Sequence, residues 1–301
     1  MRKDTFPAYS EPCGWNALLP RREPAPRASG VISVKYAVIG AGFTGVAAAR
    51  RLAELEPAAD ILLIEATTIG EGSSGRNSGF ANPRDKTAGL SAEDIRRAEV
   101  LNRLTAEGFH WLVELIGAHA IPCELDEVGR ITAAATPGGE DKVRSMIAGA
   151  AAQNIPHEVL DAAALKQRIG TGYYRLAHYT VEGYVLQPAT LIRGLADSLP
   201  GNVRLAENSP LTGLERTGGK WRLATPEAQI SADTVVLATN AAMRKLGFLR
   251  DRLVTIYTYA GLTEPMAAED AAKLGAMPGW GLLPAHRLGT TLRRVGRDRF
   301  M

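Results

Sequence analysis

The chain of 301 residues has a formal net charge of +3, with 46% hydrophobic and 22% charged residues. This composition is ordinary for a soluble globular protein, and the length allows one large domain or two ordinary ones. The small net charge and the scattered Lys and Arg residues argue against a nucleic-acid partner, and no stretch is long and apolar enough to span a bilayer.

The cysteine and histidine content predicts neither a disulfide framework nor a metal centre. Cys13 and Cys123 lie far apart, and the five histidines show no metal-ligand spacing. The N-terminus lacks the apolar core of a signal peptide. We therefore expect two free thiols, no metal and a cytoplasmic protein.

The first ordered motif follows a segment rich in proline and charge, residues 1–33, which we predict to be an arm rather than a domain. Lys35–Ile39 is typical of a buried parallel strand, and Phe43–Leu55 has the composition of a helix. The sequence VIGAGFTG at this junction contains a G-x-G-x-x-G pattern. This context predicts a strand, a tight turn and a helix that bind a dinucleotide.

Each glycine of the pattern has a physical task in such a turn. Gly40 permits the tight turn, Gly42 lets a pyrophosphate approach the backbone, and Gly45 lets the helix pack closely on the strand. A second strand, Ile61–Ile64, ends at Glu65, where an acidic side chain is expected to bind the adenosine ribose. The alternative is a βαβ unit whose glycines serve only packing.

The later part of the chain predicts a mixed α/β arrangement. In chain order we predict a polar loop (70–79), a helix from Ser91 onward, a strand (Gly129–Ala135), helices (Gly139–Asn154, Asp161–Arg168, Ala189–Ser198), three strands (Val203–Ala206, Leu211–Glu215, Trp221–Ala224) and a buried strand (Thr234–Ala238). We interpret the three successive strands as a three-stranded antiparallel meander. A simple doubly wound NAD domain would continue as βαβαβ without a meander.

Beyond the glycine motif, further segments carry a resemblance to a known family. They are GSSGRNSGF (72–80), GYVLQPATLIRGLA (183–196), ADTVVLATNAA (232–242), and TIYTYAGLTEPM (255–266) with HRLGTTLRR (286–294). Together they resemble the D-amino-acid-oxidase-like (DAO) family of FAD-dependent oxidoreductases, and the first is similar to a loop of γ-glutamylputrescine oxidase-like members.

The resemblance implies an α/β fold with an FAD-binding Rossmann-like domain of the glutathione-reductase type that carries a β-meander. It also implies an α+β substrate domain with a mixed or antiparallel sheet, whose first part is the last pair of segments above. The predicted FAD-binding domain is discontinuous and comprises residues 34–85 and 186–245. The predicted substrate domain comprises residues 86–185 and 246–301 and is incomplete at its C-terminus.

The resemblance also assigns candidate site residues. Those expected to bind FAD are Gly40, Gly42, Phe43, Thr44, Gly45, Glu65, Ala66, Ser73, Ser74, Gly75, Arg76, Asn77, Leu211, Ala238, Thr239 and Asn240. On the substrate side the candidates are Tyr257, Tyr259, His286 and Arg294, and the catalytic residue itself is left unassigned.

The implied activity is oxidation of the carbon–nitrogen bond of a small amine or amino acid by hydride transfer to flavin. Oxygen is the expected acceptor, with an imine or aldehyde and hydrogen peroxide as products. Family members continue beyond the point where this sequence ends, so we expect a fragment or a truncated gene product with an unpaired sheet edge. The alternatives are a non-catalytic family remnant and an NAD-dependent dehydrogenase.

Overall fold

The computed structural model describes residues 9, 12–83, 91–277, 279–286 and 288–301. The chain divides into two compact units. Unit 1 comprises Met1–Asn77, His119–Cys123 and Pro188–Tyr259, and unit 2 comprises Ser78–Ala118, Glu124–Gln187 and Ala260–Met301. Each unit is therefore built from separated stretches of the chain, and the domain bounds given above stay a prediction.

The helices of the described residues are α1 (Gly14–Ala17), α2 (Phe43–Leu55), α3 (Ser73–Arg76), α4 (Ala92–Ala118), α5 (Pro137–Ala152), α6 (Ala162–Ile169), α7 (Pro188–Asp197) and α8 (Ala268–Ala271). A short 3₁₀ helix covers Asn240–Arg244. The strands are β1 (Gly30–Ile39), β2 (Ile61–Ile64), β3 (Phe80–Ala81), β4 (Asp126–Glu127), β5 (Arg130–Ala134), β6 (Glu158–Asp161), β7 (Leu176–Thr180), β8 (Tyr184–Val185), β9 (Val203–Ala206), β10 (Gly213–Thr217), β11 (Lys220–Ala224), β12 (Ala228–Leu237), β13 (Gly281–Pro284), β14 (Leu292–Val295) and β15 (Arg299–Phe300).

Unit 1 is built around a six-stranded sheet in the order β10-β11-β12-β1-β2-β9. Strands β12, β1, β2 and β9 are parallel neighbours, whereas β10 and β11 are antiparallel additions at one edge. The end of β1 and the whole of β2 are buried, as their unbroken apolar residues predict. The predicted bounds of α2 and β2 are confirmed.

Helix α2 is fixed beside the sheet by an unusual buried side chain. The guanidinium of Arg50 is 4% exposed and donates hydrogen bonds to the carbonyl oxygens of Leu195 and Ser198, at the end of α7. The last carbonyls of a helix lack intrahelical donors, and a cation beside them is favourable. The carbonyl of Leu195 also accepts the hydroxyl of Ser198 at 3.2 Å. Burial lowers the pKa of Arg50. Arg50 therefore links α2 to the C-terminal end of α7.

The meander was predicted from the wrong set of three strands. Val203–Ala206 forms β9, which pairs in parallel with β2 at the far edge of the sheet. The antiparallel meander consists instead of β10, β11 and β12. A short apolar run indicates a strand but not its partner, and the parallel partner buries Ala206 on the same core as Ile64.

The last predicted strand of unit 1 exists but is less buried than its sequence indicated. Strand β12 covers Ala228–Leu237, and its second half, from Asp233 onward, is half-buried or exposed. Strand β11 pairs only with residues 229–232 of β12. The second half of β12 therefore pairs with β1 on one side and is not paired with β11 on the other.

Unit 2 contains a six-stranded sheet in the order β15-β14-β13-β5-β7-β6 and a small sheet in the order β3-β8-β4. In the larger sheet β13 and β5 are parallel and the other pairs are antiparallel. Its core includes Ile131, Leu165 and Trp280. The mixed sheet agrees with the predicted fold class.

One segment expected to begin the sheet of unit 2 does not form a strand. Residues 255–266 have no regular secondary structure, although the N–H groups of Thr263 and Met266 donate to the carbonyls of Phe300 and Asp298. Within the described residues of the second segment, the last three, residues 292–294, belong to a strand, β14. Among the helices described, none has the length and apolar character needed to cross a membrane.

Candidate cofactor site

The turn between β1 and α2 is shaped by the close approach of β12. Gly40 has a φ of +97°, in the region that favours glycine, and a methyl group there would lie 2.6 Å from the carbonyl oxygen of Ala238. A methyl group at Gly45 would overlap the carbonyl oxygen of Gly40. Both glycines are therefore required for the strand, the turn and the helix to pack together.

The glycine-rich loop before unit 2 contributes a hydroxyl to the N-terminus of α2. The Oγ of Ser74 accepts a hydrogen bond from the N–H of Phe43 at 2.9 Å. A methyl group at Gly42 would lie 2.8 Å from that Oγ. In this structure the space beside Gly42 is thus needed by Ser74, a contact that sequence reasoning did not predict.

The same helix terminus offers further donors. Among the described residues, the N–H groups of Thr44 and Gly45 have no hydrogen-bond partner. Free N–H groups at a helix N-terminus, together with the positive end of the helix dipole, favour a phosphate. The N-terminus of α2 therefore fits one end of a pyrophosphate.

Glu65 at the end of β2 stabilises the turn directly. Its Oε2 accepts the N–H of Ala41 at 3.0 Å, and its Oε1 accepts the N–H and Oγ1 of Thr67 at 3.0 and 3.2 Å. A carboxylate has about four acceptor positions, so one remains for a ribose hydroxyl. Glu65 thus stabilises the glycine turn and is also a candidate to bind the ribose. Ala66 lies between Glu65 and Thr67.

The loop that contains Ser74 is internally fixed. Helix α3 spans Ser73–Arg76, and a methyl group at Gly75 would overlap the carbonyl of Gly70. The side-chain amide of Asn77 donates to the carbonyl oxygen of Ser74 at 2.7 Å. The guanidinium of Arg76 donates to the carbonyl oxygen of Glu71 at 2.7 Å and pairs with the carboxylate of that residue at 3.0 Å.

At the end of β12 the structure leaves one buried hydroxyl unsatisfied. The Oγ1 of Thr239 is buried and has no hydrogen-bond partner among the described residues. The Cα of Thr239 would lie 3.5 Å from a methyl group at Gly40, and Asn240 follows with a φ of +49°. Since buried polar groups are nearly always paired, the unpaired hydroxyl fits a site completed by a ligand.

Leu211 occupies the core rather than a surface. It is 6% exposed and belongs to the apolar cluster that includes Ile39 and Ile64. Its expected part in binding FAD stays a prediction.

The substrate-side candidates lie in different settings. Tyr257 and Tyr259 are 78% and 96% exposed, in the segment without regular structure. His286 lines a groove of about 450 Å³ with Lys142. The guanidinium of Arg294 donates to the carbonyls of Met277 and Arg297 at 3.0 and 2.8 Å, which gives it a structural task. Their catalytic roles stay predictions.

Sequence reasoning missed the residues of the arm that contact this site. Tyr9, Cys13, Trp15 and Asn16 all contact the 71–77 segment. Proline and charge predicted an arm, but no local pattern indicates which loop an arm contacts. Thr67 was likewise missed, although a hydroxyl two residues after Glu65 is a usual partner for a carboxylate.

The fold and these features together define a dinucleotide-binding α/β unit with a β-meander. The model of the family DAO, FAD dependent oxidoreductase, matches residues 35–301, and the chain belongs to this family. The family is FAD-dependent, so the expected cofactor is confirmed at that level.

Two curated proteins are similar to the chain. It is 26% identical over 246 residues to the probable oxidoreductase OrdL of Rhizobium meliloti (strain 1021), covering 80% of this chain and 56% of that protein. It is 28% identical over 219 residues to the gamma-glutamylputrescine oxidoreductase of Escherichia coli (strain K12), covering 70% and 50%. The chain thus spans about half the length of the curated relatives it matches.

Solved structures show the same fold. Glycine oxidase from Geobacillus kaustophilus has a TM-score of 0.67 at 17% identity, over 89% of this chain and 70% of that one. L-proline dehydrogenase from P. horikoshii has a TM-score of 0.63 at 15% identity, over 92% and 69%. At these identities the likeness shows the fold alone.

Proposed function

We propose that unit 1 binds FAD and that the protein oxidises the carbon–nitrogen bond of an amine or amino acid. The observation that carries the proposal is the buried, unpaired hydroxyl of Thr239 beside the glycine turn, together with free N–H groups at the N-terminus of α2. Family membership supplies the identity of the cofactor.

In this proposal the pyrophosphate lies at the N–H groups of Thr44 and Gly45, and Glu65 accepts the ribose hydroxyl. The 73–77 segment and Ala238–Asn240 flank the cofactor on either side of the turn, and Ala66 and Leu211 lie towards its adenosine end. The chain's own residues bind and orient, since no nucleophile or acid–base pair is needed for this class of oxidation.

A bound flavin would supply the hydride acceptor for the carbon–nitrogen bond. We propose oxygen as the final acceptor and an imine or aldehyde with hydrogen peroxide as products. One curated relative is named for gamma-glutamylputrescine, which supports a small amine or amino acid as substrate. We propose the cytoplasm as the compartment, because neither Cys13 nor Cys123, both buried, takes part in a disulfide bond.

The test is reconstitution of the purified protein with FAD, followed by anaerobic addition of single amines and amino acids. We expect a bound-flavin absorbance spectrum that bleaches with at least one substrate, and peroxide formation when air returns. A protein that binds FAD but never bleaches supports the non-catalytic alternative. A protein that stays colourless with FAD defeats the proposal, and binding of NAD instead would favour a dehydrogenase.

A further inference from the structure

The N-terminal arm and the cofactor loop share one carboxylate. The Oε1 of Glu71 accepts the side-chain amide of Asn16 at 2.6 Å, and its Oε2 accepts the N–H of Cys13 at 3.3 Å. The same Oε2 pairs with the guanidinium of Arg76 at 3.0 Å. Glu71 therefore joins two residues of the arm to one residue of the loop through hydrogen bonds to a charged acceptor.

Three further contacts of the arm lie along the same loop. The Sγ of Cys13 donates to the carbonyl of Gly75 at 3.2 Å, and the indole N–H of Trp15 donates to the carbonyl of Asn77 at 2.9 Å. The guanidinium of Arg76 lies 4.5 Å from the ring centroid of Tyr9. Cys13 and Trp15 are 1% and 4% exposed, so their side chains are sheltered from water, whereas Tyr9 is 41% exposed.

The loop in turn contacts the phosphate end of the proposed site. Gly75 and Arg76 follow Ser74, whose hydroxyl accepts the N–H of Phe43. A displacement of the loop would move that hydroxyl away from the N-terminus of α2. The route from the arm to the helix terminus thus runs through the side chains of Glu71 and Arg76, one turn of α3, and the side chain of Ser74.

The arm has a second anchor, at Glu207. The buried carboxylate of Glu207 accepts the guanidinium of Arg22 at 2.6 Å, the N–H of Ala25 at 2.6 Å and the N–H of Ile69 at 2.6 Å. The side chain of Glu207 is 0% exposed. Because this anchor holds the arm in place, loss of the Glu71 contacts would release the loop rather than unfold the arm.

We propose that Glu71 is a positioning residue of the cofactor site, through which the N-terminal arm holds the 72–77 segment against the N-terminus of α2. The inference rests on the proposed function, in that the cofactor is FAD. It predicts that FAD affinity depends on arm residues that need not contact the cofactor.

The test compares the full-length variants Glu71→Gln, Asn16→Ala and the double variant with a matched control, Glu227→Gln. Glu227 also pairs with a residue of the arm, Arg27, at 2.7 Å, but both side chains are exposed and neither belongs to the 70–79 loop. The readouts are the dissociation constant for FAD by flavin fluorescence, and hydrogen exchange of the 70–77 segment and the Phe43 amide without FAD.

We expect each single variant to weaken FAD binding about tenfold. The double variant should bind FAD only slightly more weakly than the single variant with the lower affinity, because both substitutions act on the same Asn16–Glu71 contact. Hydrogen exchange in the 70–77 segment should be faster in Glu71→Gln and in Asn16→Ala than in the wild-type chain, and unchanged in Glu227→Gln. A purely structural role would lower overall stability without this local rise.

Unchanged exchange and unchanged FAD affinity in Asn16→Ala would overturn the inference even if Glu71→Gln failed to fold. If the wild-type chain binds no FAD while the local exchange still rises, the proposed function fails and the coupling between arm and loop stands.

Discussion

The hydroxyl of Ser74 lies 2.9 Å from the backbone nitrogen of Phe43 and accepts its hydrogen bond. This contact joins the two glycine-rich segments of unit 1, which the sequence separates by about thirty residues. It satisfies one of the N–H groups that the first turn of α2 would otherwise leave unpaired. The loop and the helix terminus consequently form one structural element, and substitutions in either should affect the other.

The first prediction concerns this pair. Gly42→Ala should destabilise the protein because the new methyl group would lie 2.8 Å from the Oγ of Ser74. Ser74→Ala should cost ~1 kcal/mol through loss of the hydrogen bond at the helix N-terminus. Since the Cβ of Ser74 would be 3.8 Å from the new methyl group, Gly42→Ala should cost less in the Ser74→Ala background. Urea unfolding of the four proteins measures this coupling, and additive costs would contradict it.

Gly45→Ala should be the most damaging change in the glycine motif. The methyl group would overlap the carbonyl oxygen of Gly40, a backbone atom that cannot move without disturbing β1. We expect a loss of about 2 kcal/mol or more of unfolding free energy and no measurable FAD binding. The matched control is Gly108→Ala in α4, where a methyl group meets nothing within 4 Å. That control should gain up to ~1 kcal/mol. Wild-type-like FAD binding by Gly45→Ala would refute the packing argument.

Glu65→Gln should weaken FAD binding by about tenfold and also destabilise the glycine turn. The carboxylate accepts three hydrogen bonds from Ala41 and Thr67, and an amide can direct only one oxygen towards them. Glu54→Gln in α2 is the control, since within the described part of the chain the ion pair of Glu54 is with the exposed Arg51. Equal FAD affinities of the two variants would remove Glu65 from the site.

Glu207→Gln should destabilise unit 1, although Glu207 is not among the residues proposed to contact the cofactor. The carboxylate is fully buried and accepts hydrogen bonds from Arg22, Ala25 and Ile69. Arg22 keeps its second partner, Asp197, at 2.9 Å. The amide of Gln, however, has only one acceptor oxygen for these three donors, so we expect a cost of about 1–3 kcal/mol. Glu227→Gln, whose partner is exposed, should cost less than ~0.5 kcal/mol. Similar unfolding free energies for the two variants would show that the anchor is not energetically important.

The stability of unit 2 should fall in acid because of His178. This residue is 1% exposed, neither ring nitrogen has a hydrogen-bond partner among the described residues, and its ring lies 5.4 Å from that of His157. Burial, and next the neighbouring His157 and Arg130, lower its pKa from 6.5 to about 4. The unfolded chain therefore binds a proton first, and stability decreases as the pH falls from about 6.5 towards 4.

The expected loss over that window is about 1–3 kcal/mol. In His178→Gln, which cannot titrate, the pH dependence between 6.5 and 4 should flatten. The control His110→Gln removes an exposed imidazole and should keep the wild-type slope. Urea unfolding at several pH values measures both. An unchanged slope in His178→Gln would assign the acid sensitivity elsewhere.

Much of unit 1 could be predicted from local patterns. The apolar end of β1, the apolar run of β2, the glycines of the turn and the acid at Glu65 follow rules that act within a few tens of residues. Bounds of α2 and β2 were therefore found correctly. Strand β9 was found at its correct bounds as well, but its partner was not.

The sequence by itself determined the dinucleotide turn and, through its motifs, the family, because steric demands on glycine and on buried strands are local. Only the tertiary structure decided that β9 pairs with β2, that Ser74 fills the space beside Gly42, and that Glu71 joins the arm to the loop. These contacts link residues separated by 31 to about 140 positions, and such pairing depends on which surfaces can be buried together. No window of the chain contains that information.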